Sequence, residues 1–383
     1  MYSNGGLREK MNLWLVLILS LLALACGGIL YLAGRIRKFS LIRRLTGDKP
    51  GLAYFLCVVF VTAVTAALWL SMGFMNAIVC VLHLVIFWII SDIVFLVIQK
   101  YRKKSFERYY AGAAALLFSL CYLMTGWYLC HHVFETRYQI STKKQVGELR
   151  LALIADSHVG TTFHGDGFRK HLKKLEEQHP DLLVIAGDYV DDDSSREDML
   201  ECCKALGEVR TTYGVYYAFG NHDKGYYPAQ HRGYDENDLI DALEANGVHV
   251  MQDDVELIDD RFYLIGRKDH FEEYGSGRKS MQELMENLDP DKYTIVLDHQ
   301  PQDYLAQEEA GADLVLSGHT HGGQLFPLMV IENHINITPD DKVYGHEKRG
   351  NTDFIVTSGI SDWAIKFKTG CKSEYVIVEI KGE

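Results

Sequence analysis

Three stretches of this chain are nearly free of charge: Met11 to Gly34 and Tyr109 to Phe134 carry none, and Gly51 to Gln99 carries only Asp92. Each is too long for a strand in a soluble core. A helix rises about 1.5 Å per residue and a bilayer's hydrocarbon layer takes about 20 apolar residues, so the two outer runs each make one spanning helix. The middle run makes two, with its turn at Ser71-Met72-Gly73-Phe74-Met75-Asn76. The expectation is an all-α bundle of four transmembrane helices, near 12–33, 51–71, 77–99 and 111–134, in a membrane domain over residues 1–146, followed by a second domain over 147–383.

Charge divides the chain at the same place. Residues 1–150 hold 17 Lys and Arg against 6 Asp and Glu, leaving 22 against 45 for residues 151–383, so the two parts sit near +11 and −23. Lys and Arg accumulate in short cytoplasmic loops. One loop holds Arg35, Arg37, Lys38, Arg43, Arg44 and Lys49, and another holds Lys100, Arg102, Lys103, Lys104 and Arg108, so both are expected inside. The turn at 71–76 has no basic residue and is expected outside. Four spans then put residues 135–383 outside too, which describes a multi-pass protein of the cell membrane with an extracytoplasmic domain; Arg137, Lys143 and Lys144 weigh modestly against this. A lipoprotein signal ending at Cys26 is disfavoured, because the apolar run continues through Ile29-Leu30-Tyr31-Leu32. Asp92 and His83 are read either as a buried polar pair or relay, or with Asp92 reaching the interface near Lys100 and Arg102, and polar residues within the spans are too sparse for a transport pathway.

From Leu149 onward short apolar runs alternate with amphipathic segments, the pattern of an α/β layer fold. Strands are expected at 149–155, 182–186, 214–219, 262–266, 294–297, 314–317, 354–357 and 375–380, with a helix at about 166–178 capped by Asp166. The vicinal Cys202-Cys203 reads as a small buried pair in a helix, and no disulfide framework is legible.

Five of these strands end in polar clusters: Asp156-Ser157-His158, Gly187-Asp188, Gly220-Asn221-His222-Asp223, Asp298-His299-Gln300-Pro301 and Gly318-His319-Thr320-His321. Ligands gather at the carboxyl ends of strands in α/β sheets, so the clusters should converge. Their His, Asp and Asn donors, without a thiolate, suit borderline divalent cations such as Mn, Fe or Zn. The donors exceed the needs of one tetrahedral ion, and a bridging carboxylate would make a two-cation site that clamps the attacking and leaving oxygens of a displacement. Gly220, Gly318, Gly322 and Gly323 are expected to allow tight turns there.

In this order D-x-H, G-D, G-N-H-D, a lone His and G-H-x-H resemble the calcineurin-like metallophosphoesterases. Gly318-His319-Thr320-His321-Gly322-Gly323-Gln324, Ser358-Gly359 and the closing Ser373-Glu374-Tyr375-Val376-Ile377-Val378 are similar to its bacterial membrane-associated branch. The resemblance covers residues 149–383; four spans before it are a departure from the branch. It implies two facing mixed β-sheets flanked by helices, with two divalent metal ions at one edge, Mn slightly favoured. The first metal would take Asp156, His158 and His321, the second Asn221, His299 and His319, with Asp188 bridging them. His222 would donate a proton to the leaving oxygen, Asp223 would orient it, and a metal-bridging hydroxide would attack.

The function expected is that of a metal-dependent phosphoesterase, and the same metal core serves monoesters and diesters. His231 or Arg232 is expected on the substrate phosphate, with the loop 161–167 and Arg267-Lys268 as further cleft candidates. Trp363 and Phe367 are read either as an apolar lip facing the bilayer or as core, and Asp191-Asp192-Asp193 as a solvated loop. A charge near −23 excludes an extended nucleic-acid track. Tethering at the outer leaflet favours an amphiphilic phosphoester, lipid-linked or envelope-derived. The alternative, a catalytically inactive metal-binding membrane sensor, is disfavoured by the intact ligand set.

Overall fold

The apolar runs fold as helices. α1 spans Asn4–Ile36, a short α2 Ser40–Leu45, α3 Pro50–Met72, α4 Phe74–Arg102 and α5 Tyr110–His131. All but α2 are long and apolar enough to cross a membrane. The structure is a computed structural model that describes residues 4–270, 277–327, 329–331 and 339–382, and the chain forms two compact units, Met1–Gly126 and Trp127–Glu383.

In the first unit the reversal between α3 and α4 is tighter than the six residues expected. Gly73 alone, at φ 86°, separates the helices, a conformation that costs a residue without a Cβ nothing. Leu32, Val61, Ile78, Val81, Trp88 and Ala115 pack together inside, whereas Phe55, Leu70, Ile93 and Leu117 point outward. Asp92 finds its partner on α1 rather than at Lys100 and Arg102. Arg35 Nη1 lies 3.0 Å from it, and Tyr109 Oη donates to it at 2.9 Å while accepting from Trp88 Nε1 at 2.7 Å. A carboxylate among apolar helices needs such a partner.

The second unit has two six-stranded sheets. Sheet one runs in the order β1 (Phe134–Ser141), β12 (Glu374–Lys381), β2 (Glu148–Ile154), β3 (Leu182–Ala186), β4 (Val215–Ala218) and β5 (Val248–Met251). Sheet two runs β10 (Gly345–Arg349), β11 (Thr352–Val356), β9 (Leu314–Ser317), β8 (Tyr293–Leu297), β7 (Phe262–Gly266) and β6 (Asp254–Ile258). Both are mixed: β2, β3, β4 and β5 are parallel, as are β7, β8, β9 and β11, while β12 with β2, β6 with β7 and β10 with β11 are antiparallel.

Strand alternation builds the layers. Leu149, Leu151 and Leu153 of β2 face sheet two, meeting Leu264, Ile295 and Leu316 in the core between the sheets. Ala152 and Ile154 face the other way, against Phe168, Met199 and Leu239 of α6 (Gly165–Glu176), α7 (Arg196–Gly207) and α8 (Glu236–Ala245). On the far face of sheet two, Val296 and Phe354 meet Met281 and Tyr304 of α9 (Met281–Met285) and α10 (Tyr304–Glu309). Two facing mixed sheets flanked by helices are therefore present.

Three sequence readings are corrected. The second unit starts at Trp127 rather than 147, because β1, with Glu135, Arg137 and Gln139 alternating along it, pairs with β12 in parallel although only Ile140 is buried. β5, β6 and β10 were not expected either, each being short and half exposed. Asp166 is not a cap: it sits in the first turn of α6 and pairs with Arg169 at 3.1 Å. Cys202 and Cys203 are buried against sheet one, and burial pushes the Cys203 thiol up to about 12.

Candidate metal centre

β2, β3 and β4 are parallel neighbours in sheet one and β8 and β9 in sheet two, so their carboxyl ends meet at one edge of the sandwich. Asp156 and His158 follow β2, Asp188 follows β3, Asn221 follows β4, His299 follows β8, and His319 and His321 follow β9. Two groups of donors result. In one, the ligand atoms of Asp156, His158 and His321 lie within 4.8 Å of one another; in the other, those of Asp188, His299 and His319 do. Asp188 Oδ2 lies 3.0 Å from His299 Nε2 and 3.9 Å from His158 Nε2, touching both groups.

Aiming these side chains strains the backbone. Asp156, His158, Asp188, His319 and His321 have φ of 52°, 37°, 50°, 72° and 48°, a region that costs roughly 1–3 kcal/mol for a residue with a side chain. Hydrogen bonds between the strand ends hold them there: Asp156 N to Gly187 O at 3.0 Å, His158 N to Asp188 O at 3.1 Å and, across the sheets, His319 N to Asp156 Oδ1 at 2.9 Å. Gly318 matters here for its missing side chain rather than for a turn, since a Cβ there would stand 2.5 Å from Asp156 Oδ2. Gly318→Ala should therefore displace Asp156 and weaken binding of the cation it helps to hold, which calorimetric titration with Mn²⁺ measures.

The residues fit two divalent cations. His158 Nε2 and Asn221 Oδ1 are buried without a hydrogen-bond partner, a costly state unless something binds them, and His299 Nε2 meets Asp188 Oδ2 at 3.0 Å. The other end of each side chain is tied: His158 Nδ1 to Asp191 Oδ2 at 3.1 Å, His299 Nδ1 to Ala186 O at 2.7 Å, and Asn221 Nδ2 to Tyr226 Oη at 2.8 Å. Each of these atoms is thereby aimed inward, as metal-binding imidazoles are. The charges agree. Burial pushes the Asp156 carboxyl up to about 6, and it pulls His319 down to about 3, leaving a neutral imidazole. Burial opposes charge on Asp188 as well, but His299, His222 and His158 hold it well below the usual carboxylate range. Against the pull of burial, the carboxylates in turn raise the pKa of His299 and His158, so in the absence of a cation these imidazoles carry the positive charge that the buried carboxylates call for.

His222 stands beside both groups and belongs to neither. Its backbone N–H donates to Asp188 Oδ1 at 2.8 Å, and its ring lies 5.2 Å from that of His158 and 5.0 Å from those of Tyr226 and Trp363. Burial lowers its pKa. Asp223 does not orient it. The Asp223 carboxylate accepts from the backbone N–H groups of Asp188, Tyr189 and Val190 after β3 and of Gly220 after β4, at 2.6–3.1 Å.

The substrate candidates divide. Arg232 is buried and donates to Asp223 O at 2.8 Å and Tyr234 O at 3.3 Å, so it fastens the loop after β4 instead of reaching for a phosphate. His231 is exposed, 5.3 Å from the Tyr227 ring. Arg267 is buried in ion pairs with Asp298 and Asp303, both at 2.8 Å. Phe367 is core, whereas Trp363 is 48% exposed beside His222.

Two residues of the site escaped sequence reading. Asp191 is buried, not solvated, and steadies His158; its signal was its position three residues after Asp188. Asp362, 3.7 Å from His321 Nδ1, lies beyond the end of β11, a sixth strand end parallel to β9. Asp191→Ala should weaken cation binding about 10- to 100-fold, the usual effect of removing such a support, with His158 itself intact.

Residues 149–323 match the family model for calcineurin-like phosphoesterases. The chain is 31% identical over 242 residues to an uncharacterized metallophosphoesterase of Campylobacter jejuni, covering 62% of this chain and 60% of that one. It is 30% identical over 243 residues to a transmembrane protein with a metallophosphoesterase domain of Danio rerio, covering 61% and 53%. The chain thus spans between half and two thirds of the length of these relatives. A dimetal phosphatase of Danio rerio, of known structure, superposes with a TM-score of 0.36 at 13% identity, covering 54% of this chain and 86% of that one.

Proposed function

We infer, from the match of residues 149–323 to the family model for calcineurin-like phosphoesterases, that the chain hydrolyses a phosphoester with the aid of two divalent cations. The observation that carries this is Asp188, which lies within 3.9 Å of the donor nitrogens of both groups. Cations held there would polarise the phosphoryl group, activate water and stabilise the charge on the entering and leaving oxygens. Asp156, His158 and His321 would hold one, Asn221, His299 and His319 the other, with Asp188 shared.

His222 acts at the rim of this site. Its neutral imidazole N–H can hydrogen-bond a developing oxyanion. A bound anionic ester favours the protonated ring, which can deliver a proton to the leaving oxygen. Asp223 and Asp191 act through others, the first by fixing the loop that carries Asp188 and the second by orienting His158.

The substrate proposed is an amphiphilic phosphoester, lipid-linked or envelope-derived, met at the outer face of the membrane. Four apolar helices and the basic loops between them support the location. Exposed Trp363, Tyr226 and Tyr227 give the site an apolar rim. Trp363→Ala should raise KM for a phospholipid ester by roughly tenfold, the scale of one lost aromatic contact, while kcat for p-nitrophenyl phosphate stays unchanged. A periplasm-dependent phosphatase reporter fused at the C-terminus should be active; activity only of a cytoplasmic reporter would reverse the topology.

The direct test is hydrolysis of bis(p-nitrophenyl) phosphate and p-nitrophenyl phosphate by the purified full chain, with Mn²⁺ or Zn²⁺ added and a chelator as control. Metal-dependent turnover is expected. Bound cations without turnover on either ester or on phospholipid esters would overturn it in favour of a sensor.

A further inference from the structure

The ends of the helices in the first unit enclose a cavity that the phosphoesterase reading leaves unused. Its volume is about 470 Å³, within the range of small-ligand sites. Arg37, Lys38, Arg43, Lys49 and Arg108 line it. Two carboxylates, Asp48 and Glu107, also reach it, yet among the described residues neither pairs with any of the five cations. Arg37 lies over the Tyr54 ring at 5.6 Å and Lys38 over the Tyr109 ring at 5.3 Å, so aromatic faces fix two of them in place. The lining thus carries five positive groups against two negative ones, and an anion seated among them would offset the excess.

The surroundings say which anion. The lining comes from the end of α1, α2, the start of α3, the end of α4 and the segment before α5, which is the level of the membrane–water interface if these helices span. On α2, Leu41 and Leu45 are exposed at 64% and 74% on the helix face away from Arg43, outside the lining of the cavity. At the level of the interface the anion at hand is the headgroup of an anionic lipid, which clusters of Lys and Arg at the ends of spanning helices bind.

We propose that this cavity is a binding site for the phosphate-bearing headgroup of an anionic glycerophospholipid, distinct from the metal centre. The site holds the lipid by Arg43, Lys49 and Arg108 around the phosphate.

The test uses the full chain purified in mild detergent, with equal amounts of phosphatidylglycerol and phosphatidylcholine added and retention read by native mass spectrometry. Phosphatidylglycerol should be retained roughly tenfold over phosphatidylcholine, or more. Arg43→Gln/Lys49→Gln/Arg108→Gln should abolish that preference. Lys103→Gln/Lys104→Gln, which removes charge from the same loop but not from the cavity, should keep it, and so should Arg43→Lys/Lys49→Arg/Arg108→Lys. Equal retention of the two lipids would overturn the proposal. So would equal loss in both Gln variants, failure of the charge-conserving variant to bind, or displacement of the lipid by inorganic phosphate at the lipid's own concentration.

Discussion

Asp188→Asn is expected to release both cations together and to lower turnover by roughly a thousandfold or more. Cation clamping is worth several kcal/mol in the transition state, at a factor of ten per ~1.4 kcal/mol. The carboxylate is the one donor within reach of both groups, 3.0 Å from His299 and 3.9 Å from His158. An amide keeps its shape and loses the charge that the surrounding imidazoles stabilise. Metal analysis of the purified variant, run beside the wild type, reads the result. Two cations retained at full stoichiometry would show that Asp188 is not shared.

The second large effect separates chemistry from metal binding. His222→Ala should cut kcat by about 10²- to 10⁴-fold, the contribution of a positioned proton donor, with both cations still bound. The structural reason is that Asp188 accepts from the backbone N–H of residue 222, not from its imidazole, so alanine preserves that bond. The wild-type rate should fall on the alkaline side as the donor loses its proton, and that limb of the profile should vanish in the variant. Loss of a cation from the variant would instead make His222 a ligand. Asn221→Ala offers the opposite signature, a weakened second cation site with His222 in place, because the orphaned Oδ1 goes with the side chain.

What could be read from sequence was whatever is written in continuous apolar runs. The long apolar helices and the buried strands β2, β3, β8 and β9 are of that kind, and the polar residues that end each strand gave the donors that meet at the sheet edge. β1 and β10 were not legible, because a strand with one solvated face and alternating charge looks like a linker until its partner is known. Pairing was equally hidden. Arg232 and Arg267 have the chemistry to bind a phosphate, but which carbonyl or carboxylate claims them depends on neighbours far away in the chain, Asp223 O for one and Asp298 for the other. Asp223 illustrates the same limit. Adjacency to His222 suggested an orienting carboxylate, whereas successive side chains at a strand end point apart and this one turns inward to the strained amides.

Each donor group draws on both halves of the sandwich: Asp156 and His158 from sheet one with His321 from sheet two, and Asp188 from sheet one with His299 and His319 from sheet two. A cation held by either group would therefore rivet the sheets together at their open edge, and metal occupancy and closure of that edge would become a single linked equilibrium. At a cation concentration a thousand times the dissociation constant, one such rivet raises unfolding stability by about 4 kcal/mol. The protein's thermal midpoint becomes a gauge of metal loading, and amide exchange at the ends of β3 and β8 should slow together as cation is added.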